Sequence, residues 1–203
     1  VVAPFERNIV GGKCALIKTA QIPSVFSGKA DTSHIVSEFC AMKFSLAADT
    51  QNHESNLALR ATMLKNDIQA AKSYFRERKT ANTAFFESPT LESYEPILNR
   101  EIPAYFYVKT AEELKMALRI SKQFNFTSTI VGCNDCERVD EALLIEIREY
   151  SNSIVLGPCI TRTSKGFEFA KQLSENKMPF ALSTAYPRTN IQYLPMIAGL
   201  SVR

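Results

Sequence analysis

A pair of cysteines separated by two residues is the clearest chemical pattern in this chain. Cys133 and Cys136 enclose Asn134 and Asp135 at the junction between a predicted strand and a predicted helix. A pair with this spacing can act as a dithiol redox couple or supply half of a zinc site. No second pair follows it, no Trp precedes it, and Cys136 also fits the apolar face of the predicted helix. We therefore favour a structural role for both thiols over a redox or metal-binding role.

Histidine, the commonest metal ligand and general base, occurs only at His34 and His53. Both lie in polar, loop-like stretches, and we interpret them as solvated or capping side chains. The chain also lacks the Gly-x-Ser-x-Gly pattern of a serine nucleophile. Gly11-Gly12 has the spacing of neither common nucleotide-binding loop. The residues alone complete no familiar catalytic or cofactor motif, and we predict no cofactor.

The composition is that of an ordinary soluble globular protein, with 45% hydrophobic and 22% charged residues among 203. The net charge of +3 comes from Lys and Arg spread along the chain, which argues against nucleic acid as a partner. No apolar run is long enough to cross a membrane. Five cysteines, an odd and sparse set, indicate free thiols in a reducing compartment, so we expect a cytoplasmic protein. A small-molecule ligand and a homo-oligomer stay open as partners.

From about residue 100 onward, apolar strand-like segments alternate with helical segments. Thr110 predicts the start of a helix over residues 110–123, because it can cap the helix and two glutamates follow in the first turn. Short apolar strands separated by helices favour a parallel sheet buried on both faces. Such a sheet can close into a barrel or stay open, and periodicity does not decide between the two. Other predicted strands are 102–108, 128–131, 153–156 and 180–184, and further helices are predicted from Asn134 or Asp135, through Phe169, and over 190–202.

The first half of the chain is less regular. Residues 1–3, 14–17 and 42–46 are predicted strands, and Gly11-Gly12 is a predicted turn. The longest predicted helix covers residues 54–78, because apolar residues recur along it at alternating spacings of four and three. Its apolar stripe consists of Leu57, Ala61, Leu64, Ile68, Ala71 and Phe75, and its charged face of Arg60, Lys65, Asp67, Lys72 and Arg76.

Several stretches, in one order, resemble the amidohydrolase superfamily, specifically its imidazolonepropionase-like and prolidase-like members. The closing stretch is the clearest: residues 183–187 read Ser-Thr-Ala-Tyr-Pro, where family members usually read Ser-Thr-Asp-His-Pro. Residues 41–44, Ala-Met-Lys-Phe, resemble the family's Gly-Met-Lys strand, and residues 102–104, Ile-Pro-Ala, its Ile-Pro-Val strand. Residues 9–19 and 157–165 are also similar to family segments. The resemblance covers most of the chain.

The resemblance implies an α/β fold, namely a (β/α)8 TIM-type barrel with its active site at the C-terminal ends of the strands. It implies that residues 1–203 form a single partial barrel domain, with roughly six of the eight strands. The first strand, which carries a His-x-His metal pair in the family, and the small β-domain that flanks the barrel are missing. Family members use one or two divalent metals, such as zinc, to generate the hydroxide that attacks an amide or cyclic amide.

Three metal-ligand positions of the family carry other residues in this chain. On the resemblance, the fifth-strand histidine aligns near Tyr107, the sixth-strand histidine near Gly132, and the eighth-strand aspartate at Ala185. The histidine after the aspartate becomes Tyr186. Gly and Ala have no metal-binding atom, Tyr is a poor ligand there, and no histidine follows His53 to replace them. We therefore expect a degenerate site with no metal.

Other residues are candidates for a pocket at the strand ends. Tyr and Arg side chains there can hold an anionic or aromatic ligand without a metal; alternatively they fill the pocket mouth as solvated groups. Lys18 can in principle become a carbamylated bridging ligand, but we favour a structural role in which it points into the barrel against an acid. The pocket candidates are Tyr105, Tyr107, Lys109, Arg162, Lys165, Tyr186 and Arg188.

Three functions are consistent with these residues. The first is an amidohydrolase-like barrel, by descent a metal-dependent hydrolase of C–N bonds, that has lost metal catalysis and has a binding, structural or regulatory role. The second is an active metal-dependent amidohydrolase whose atypical ligands include Cys133, Asp135 or Glu137 and segments outside this chain. The third is an unrelated open α/β domain in which Cys133 and Cys136 form a redox pair. We favour the first.

Overall fold

A sheet in which each strand pairs with the next one along the chain is the centre of the fold. The computed structural model describes residues 3–4, 8–18, 35–47, 56–80, 86–157, 165–185 and 189–201. Within them the strands are β1 (Val10–Ile17), β2 (Ile35–Ser45), β3 (Ala104–Val108), β4 (Ser128–Gly132), β5 (Ser151–Leu156) and β6 (Phe180–Leu182). The helices are α1 (Leu57–Thr80), α2 (Pro89–Glu92), α3 (Glu95–Leu98), α4 (Ala111–Phe124), α5 (Glu141–Tyr150), α6 (Lys165–Glu175) and α7 (Leu194–Ser201), and a 3-10 turn lies at Ile191–Tyr193.

The strands from β2 to β6 run parallel, and helices connect them in turn. A parallel sheet in sequential order has the winding of a TIM-type barrel, whereas the strand order of a doubly wound sheet reverses at a switch point. The predicted fold class, α/β with a partial TIM-type barrel, is confirmed. In the part of the chain that is described, no pairing joins β6 back to β1, so the sheet forms an arc of a barrel. None of the helices described is long and apolar enough to cross a membrane.

β1 differs from the barrel expectation, because it pairs with β2 in the antiparallel direction. It is also longer than predicted: Gly11 and Gly12, predicted as a turn, lie inside the strand. The register with β2 shifts between Val10 and Gly12, so an irregularity of the β-bulge type takes up the glycines without ending the strand. Ala3 is not in a strand, and residues 1–2 of that predicted strand lie outside the described residues.

The two faces of the sheet differ in chemistry. One face packs against the helices through buried residues such as Phe44, Phe106, Ile130 and Ile154. Neighbouring residues point to the opposite, inner face, because side chains alternate along a strand. Strand register aligns two rows on this inner face: Lys43, Tyr105, Thr129 and Ser153, and then, nearer the C-terminal ends, Ser45, Tyr107, Val131 and Val155.

α1 uses the predicted apolar stripe, and Leu64 and Ile68 are fully buried in it. The prediction for Arg60 was wrong, because this residue was assigned to the charged face and only 6% of its surface is exposed. Its Nη2 donates to the backbone oxygen of Ser45 at 3.3 Å. A carbonyl at the end of β2 thus holds the guanidinium, as buried polar groups require.

α4 begins where the sequence predicts. The Thr110 side chain accepts a hydrogen bond from the Glu113 amide at 3.3 Å, and the Glu113 carboxylate accepts one from the Thr110 amide at 3.3 Å. This reciprocal capping box satisfies two amide donors that the first turn leaves without helical partners.

α5 begins at Glu141, later than predicted. Asp140 caps it, since its Oδ1 accepts from the Leu143 amide at 2.8 Å. Upstream, Gln172 of α6 binds both backbone groups of Val139: its Oε1 accepts from the amide at 2.8 Å, and its Nε2 donates to the carbonyl at 2.6 Å. These groups are used outside a helix, so the segment before Asp140 stays non-helical.

Replacing Gln172 with Leu should lower the free energy of unfolding by about 2–4 kcal/mol, because the buried amide and carbonyl of Val139 then lose their partners. Gln123→Leu, at an exposed position of α4, is the matched control and should change it by less than about 0.5 kcal/mol. Urea denaturation of both variants measures the difference. Equal effects would mean that Gln172 does not hold this segment.

Candidate functional site

The carboxyl ends of the parallel strands lie along one edge of the sheet, which is where a barrel of this type places its site. Backbone hydrogen bonds hold this edge together. The Cys133 amide donates to Val108 O at 2.8 Å, and the Gly157 amide donates to Gly132 O at 3.1 Å. The strand ends are therefore positioned by main chain rather than by side chains.

Gly132, the last residue of β4, has no room for a side chain. Its φ is +107°, a conformation that residues with a Cβ rarely adopt. A Cβ at this position would lie 2.3 Å from Val108 O and 3.0 Å from Tyr107 Cε2. Because the first of these atoms is backbone in a paired strand, a larger residue would require β3 or β4 to move. The position aligned with the family's sixth-strand histidine is thus closed by main chain.

Tyr107, aligned with the fifth-strand histidine, lies on the inner face and is only 1% exposed. The ammonium of Lys43 lies 5.2 Å from its ring centroid, within the range of a cation–π contact. The same ammonium donates to Pro4 O at 2.7 Å. Lys43 was not predicted as a site residue, although a lysine within an apolar strand indicates a charged group on one face of the sheet. Tyr107 and Lys43 together give the inner face an aromatic and a cationic group.

Ala185, aligned with the eighth-strand aspartate, follows β6 in a turn. Its φ is +48°, and its amide donates to Ser183 Oγ at 3.0 Å. Asn and Asp adopt this left-handed conformation more readily than most residues with a Cβ. The backbone here therefore suits an aspartate, whereas the methyl group that is present offers no metal-binding atom.

Tyr105 lies within β3 and Lys109 directly follows it, and these two pocket candidates have different surroundings. Tyr105 is half-buried on the inner face, one row further from the edge than Tyr107. Burial, and then the neighbouring Cys40 and Cys14, raise the pKa of the Tyr105 phenol. Lys109 follows β3, where its amide donates to the Glu113 carboxylate at 2.6 Å. β3 thus directs two tyrosines to the inner face, while the Lys109 backbone helps to start α4.

The remaining candidates are described only in part. Lys165 is the first residue of α6, and its side chain lies outside the described residues. Arg162, Tyr186 and Arg188 lie outside them altogether, as do His34 and His53. Lys18 directly follows β1 and is exposed, which contradicts the prediction that it points into the barrel against an acid.

Cys133 and Cys136 are both buried, and no disulfide joins them in the part of the chain that is described. The Cys136 amide donates to Cys133 O at 3.2 Å, and its Sγ donates to Lys109 O at 3.6 Å. The pair therefore belongs to the turn that leaves β4. The prediction that Cys136 lies on a helix face was wrong, because α5 begins only at Glu141.

Among the described residues at this edge, no group of side chains fits a divalent metal. The aligned positions offer a closed glycine, a buried tyrosine ring and an alanine methyl, none of which is a normal ligand. Asp135 and Glu137, the alternative carboxylates, are exposed. Across the described ranges, no three Cys, His, Asp or Glu side chains are grouped so that they could hold a metal ion.

Two buried polar atoms at this edge have no hydrogen-bond partner among the residues described: Ser45 Oγ, at the end of β2, and Asn134 Oδ1, after β4. Ser45 is 0% exposed and Asn134 is 5% exposed. Buried polar atoms are normally paired, and each orphan costs about 1–3 kcal/mol. No sequence pattern points to either residue, because a single hydroxyl or amide has no diagnostic spacing.

The sequence matches no protein family model and no curated protein. The fold is similar to that of the crystal structure of an amidohydrolase from Thermotoga maritima MSB8, with a TM-score of 0.80 and 20% sequence identity. The match covers 98% of this chain and 54% of that chain, so this chain spans about half the length of the protein it matches. The likeness shows an amidohydrolase-like fold.

Gly132→Ala should lower the free energy of unfolding by more than about 2 kcal/mol, because the new methyl group meets Val108 O and φ is positive. Gly199→Ala is the matched control, since no atom lies within 4 Å of a Cβ at that position of α7. It should raise the free energy of unfolding by about 0.5–1 kcal/mol through helix propensity. Chemical denaturation compares the two, and the same sign for both would contradict the closed position of Gly132.

Proposed function

We propose that this chain is an amidohydrolase-like barrel that has lost metal catalysis and binds a small polar molecule at the carboxyl ends of its strands. The closed position of Gly132 carries this proposal. A histidine cannot be placed there without displacing Val108 O, a backbone atom of the neighbouring strand. The closed backbone at Gly132 supports a loss of the site that involves more than an exchange of side chains.

The proposal treats residues 1–203 as one partial barrel domain of imidazolonepropionase-like ancestry. By descent such a barrel is a metal-dependent hydrolase of amide or cyclic amide bonds. We place it in the cytoplasm, which agrees with the absence of a disulfide among the four described cysteines. A homo-oligomer is compatible with this role, and neither nucleic acid nor a membrane is proposed as a partner.

The polar groups of the edge define the chemistry of the ligand. Asn134 Oδ1 can only accept, so the ligand must offer an N–H or O–H donor to it. The Ser45 hydroxyl can donate or accept. Lys43 and Tyr107 supply positive charge and an aromatic surface on the same inner face. A small amide or cyclic amide has both a donor and an acceptor, and without an activated hydroxide it is bound but not cleaved.

Further contacts are proposed beyond the described edge. Arg162, Tyr186, Arg188 and the Lys165 side chain are candidates for gripping an anionic group of the ligand. Tyr and Arg need no metal for this, since Arg pairs directly with carboxylates in a bidentate manner.

The metal content of the protein, purified without chelator, tests the loss of metal catalysis. We expect far less than one equivalent of Zn, Mn, Fe or Ni by plasma mass spectrometry. Ala185→Asp restores only one ligand position and should add neither metal nor metal-dependent amidase activity, because Tyr107 and Gly132 still supply no ligand. A full equivalent of metal, or activity gained by this variant, would favour the alternative of an active amidohydrolase with atypical ligands.

Ser45→Ala tests the binding site separately from the metal. Removal of a buried hydroxyl without a partner should leave the free energy of unfolding unchanged or raise it by up to about 1 kcal/mol. The rise in melting temperature caused by a bound cyclic amide, selected from a thermal-shift screen, should decrease. Ser153→Ala is the control: it lies on the same face, and its hydroxyl lies 3.0 Å from Thr129 Oγ1. Loss of ligand response in both variants would contradict a specific role for Ser45.

A further inference from the structure

Two thiols away from the strand-end site lie at neighbouring cross-strand positions of β1 and β2. Cys14 pairs with Ala41 in the antiparallel register, and Cys40 is the residue next to Ala41. Both cysteines are free. Cys14 is 0% exposed, whereas Cys40 is half-buried.

The strand alternation of β2 is broken beside these thiols. From Cys14 to Leu16, β1 advances two residues, while its partners run four residues, from Ala41 to Ser37. Such a mismatch is a β-bulge, in which extra residues of one strand face a single residue of the other. Cys40 belongs to the extra residues.

Two core contacts show which way the bulge turns the side chains. Phe39 and Met42 both pack against the helix-covered core, although residues three apart on a regular strand point to opposite faces. The Lys13 ammonium, opposite Met42, lies 4.8 Å from the Phe39 ring centroid and confirms this placement. Cys40 and Ala41, between Phe39 and Met42, therefore share the inner face, and Cys14 shares it as the partner of Ala41.

From general sheet geometry we expect a separation between Cys14 and Cys40 that suits a disulfide. Facing Cα atoms in an antiparallel pair are about 4.5–5.5 Å apart, and both residues of a bulge face the same partner. A disulfide needs a Cα separation of about 4.4–6.8 Å. The Tyr105 phenol lies near both thiols, since Cys40 and Cys14 each raise its pKa.

We propose that Cys14 and Cys40 are a redox modification site, at which a low-molecular-weight disulfide oxidises the two thiols to an intramolecular disulfide. The Cys40 thiolate attacks one sulfur of the oxidant, which forms a mixed disulfide and releases one thiolate. The Cys14 thiolate then attacks Cys40 Sγ and releases the second. Two protein thiols are oxidised, one small disulfide is reduced to two thiols, and the protons of the cysteines pass through solvent to the leaving thiolates.

Exposure sets the order of these steps. The oxidant reaches the half-buried Cys40 first. Burial, and then Cys40, raise the pKa of the Cys14 thiol to about 11, against the opposing effect of the Lys43 ammonium. Cys14 is therefore a poor first nucleophile and serves to resolve the mixed disulfide. Cys133 and Cys136 are no more than 1% exposed, so neither offers a comparable point of entry.

The disulfide would tie β1 covalently to β2, the strand that carries Lys43 and Ser45 on its inner face. The thiol site does not require the proposed ligand, because it depends only on the register and exposure of the β1–β2 pair. Oxidation therefore modifies the edge of the sheet whether or not the strand-end site binds an amide.

Peptide mapping of the wild-type protein is the test. Reduced protein is incubated with oxidised glutathione near neutral pH, quenched with acid, alkylated and digested with trypsin. Trypsin places Cys14 in residues 14–18, Cys40 in residues 30–43, and Cys133 with Cys136 in residues 123–138. We expect mass spectrometry to find the first two peptides joined and the third with both thiols alkylated.

Three variants separate the steps. Cys14→Ser should stop at a mixed disulfide between Cys40 and glutathione, and Cys40→Ser should lose both products. Cys136→Ser, the matched control, should keep the joined peptides. Circular dichroism of each variant checks that it is folded. The peptide map of the wild-type protein does not depend on the variants. A wild-type protein that keeps Cys14 as a thiol under excess oxidant, or that links Cys133 to Cys136 instead, would overturn the proposal.

Discussion

The close approach of main chain at the carboxyl ends of the parallel strands is the constraint on which this structure depends. Gly132 lies against Val108 O, and at Gly157, where φ is +144°, a Cβ would lie 1.9 Å from Ser183 O. Only glycine allows neighbouring strands to leave the sheet so near to each other. The same closeness that joins β3 to β6 into one arc leaves no room for a side chain at Gly132 or Gly157. The architecture and the proposed loss of the metal site therefore rest on the same constraint.

The sheet separates two kinds of chemistry. Apolar residues such as Phe106 and Ile130 bury against the helices and supply most of the hydrophobic stabilisation. Polar residues that alternate with them, such as Lys43 and Tyr107, are also buried, but against each other on the inner face. A barrel built in this way keeps a polar interior even where no metal is held. That interior accounts for both proposals: a ligand site at the strand ends and a thiol pair at the antiparallel edge.

Local patterns predicted the elements that local forces decide. The start of α4 follows from Thr110, because a cap and its carboxylate partner lie within one turn. The buried stripe of α1 follows from helical spacing. Predictions were wrong where a residue distant in the sequence decides the structure. Gln172 binds the backbone of Val139, so α5 begins later than predicted. A backbone carbonyl at the end of β2 accepts a hydrogen bond from Arg60, which is therefore buried and not on the charged face of α1. Neither contact has a sequence spacing by which it could be anticipated.

The sequence by itself determined the alternation of strands and helices, the resemblance to amidohydrolases, and the absence of histidine from the aligned ligand positions. It also determined that Ala185 stands where an aspartate is expected. Only the tertiary structure decided that main chain leaves no room for a Cβ at Gly132, that Ser45 and Asn134 have buried polar atoms without partners among the described residues, and that Cys40 lies beside the cross-strand partner of Cys14. Composition and spacing report which atoms a chain contains, whereas closeness across strands depends on register, and a single bulge changes which side chains meet.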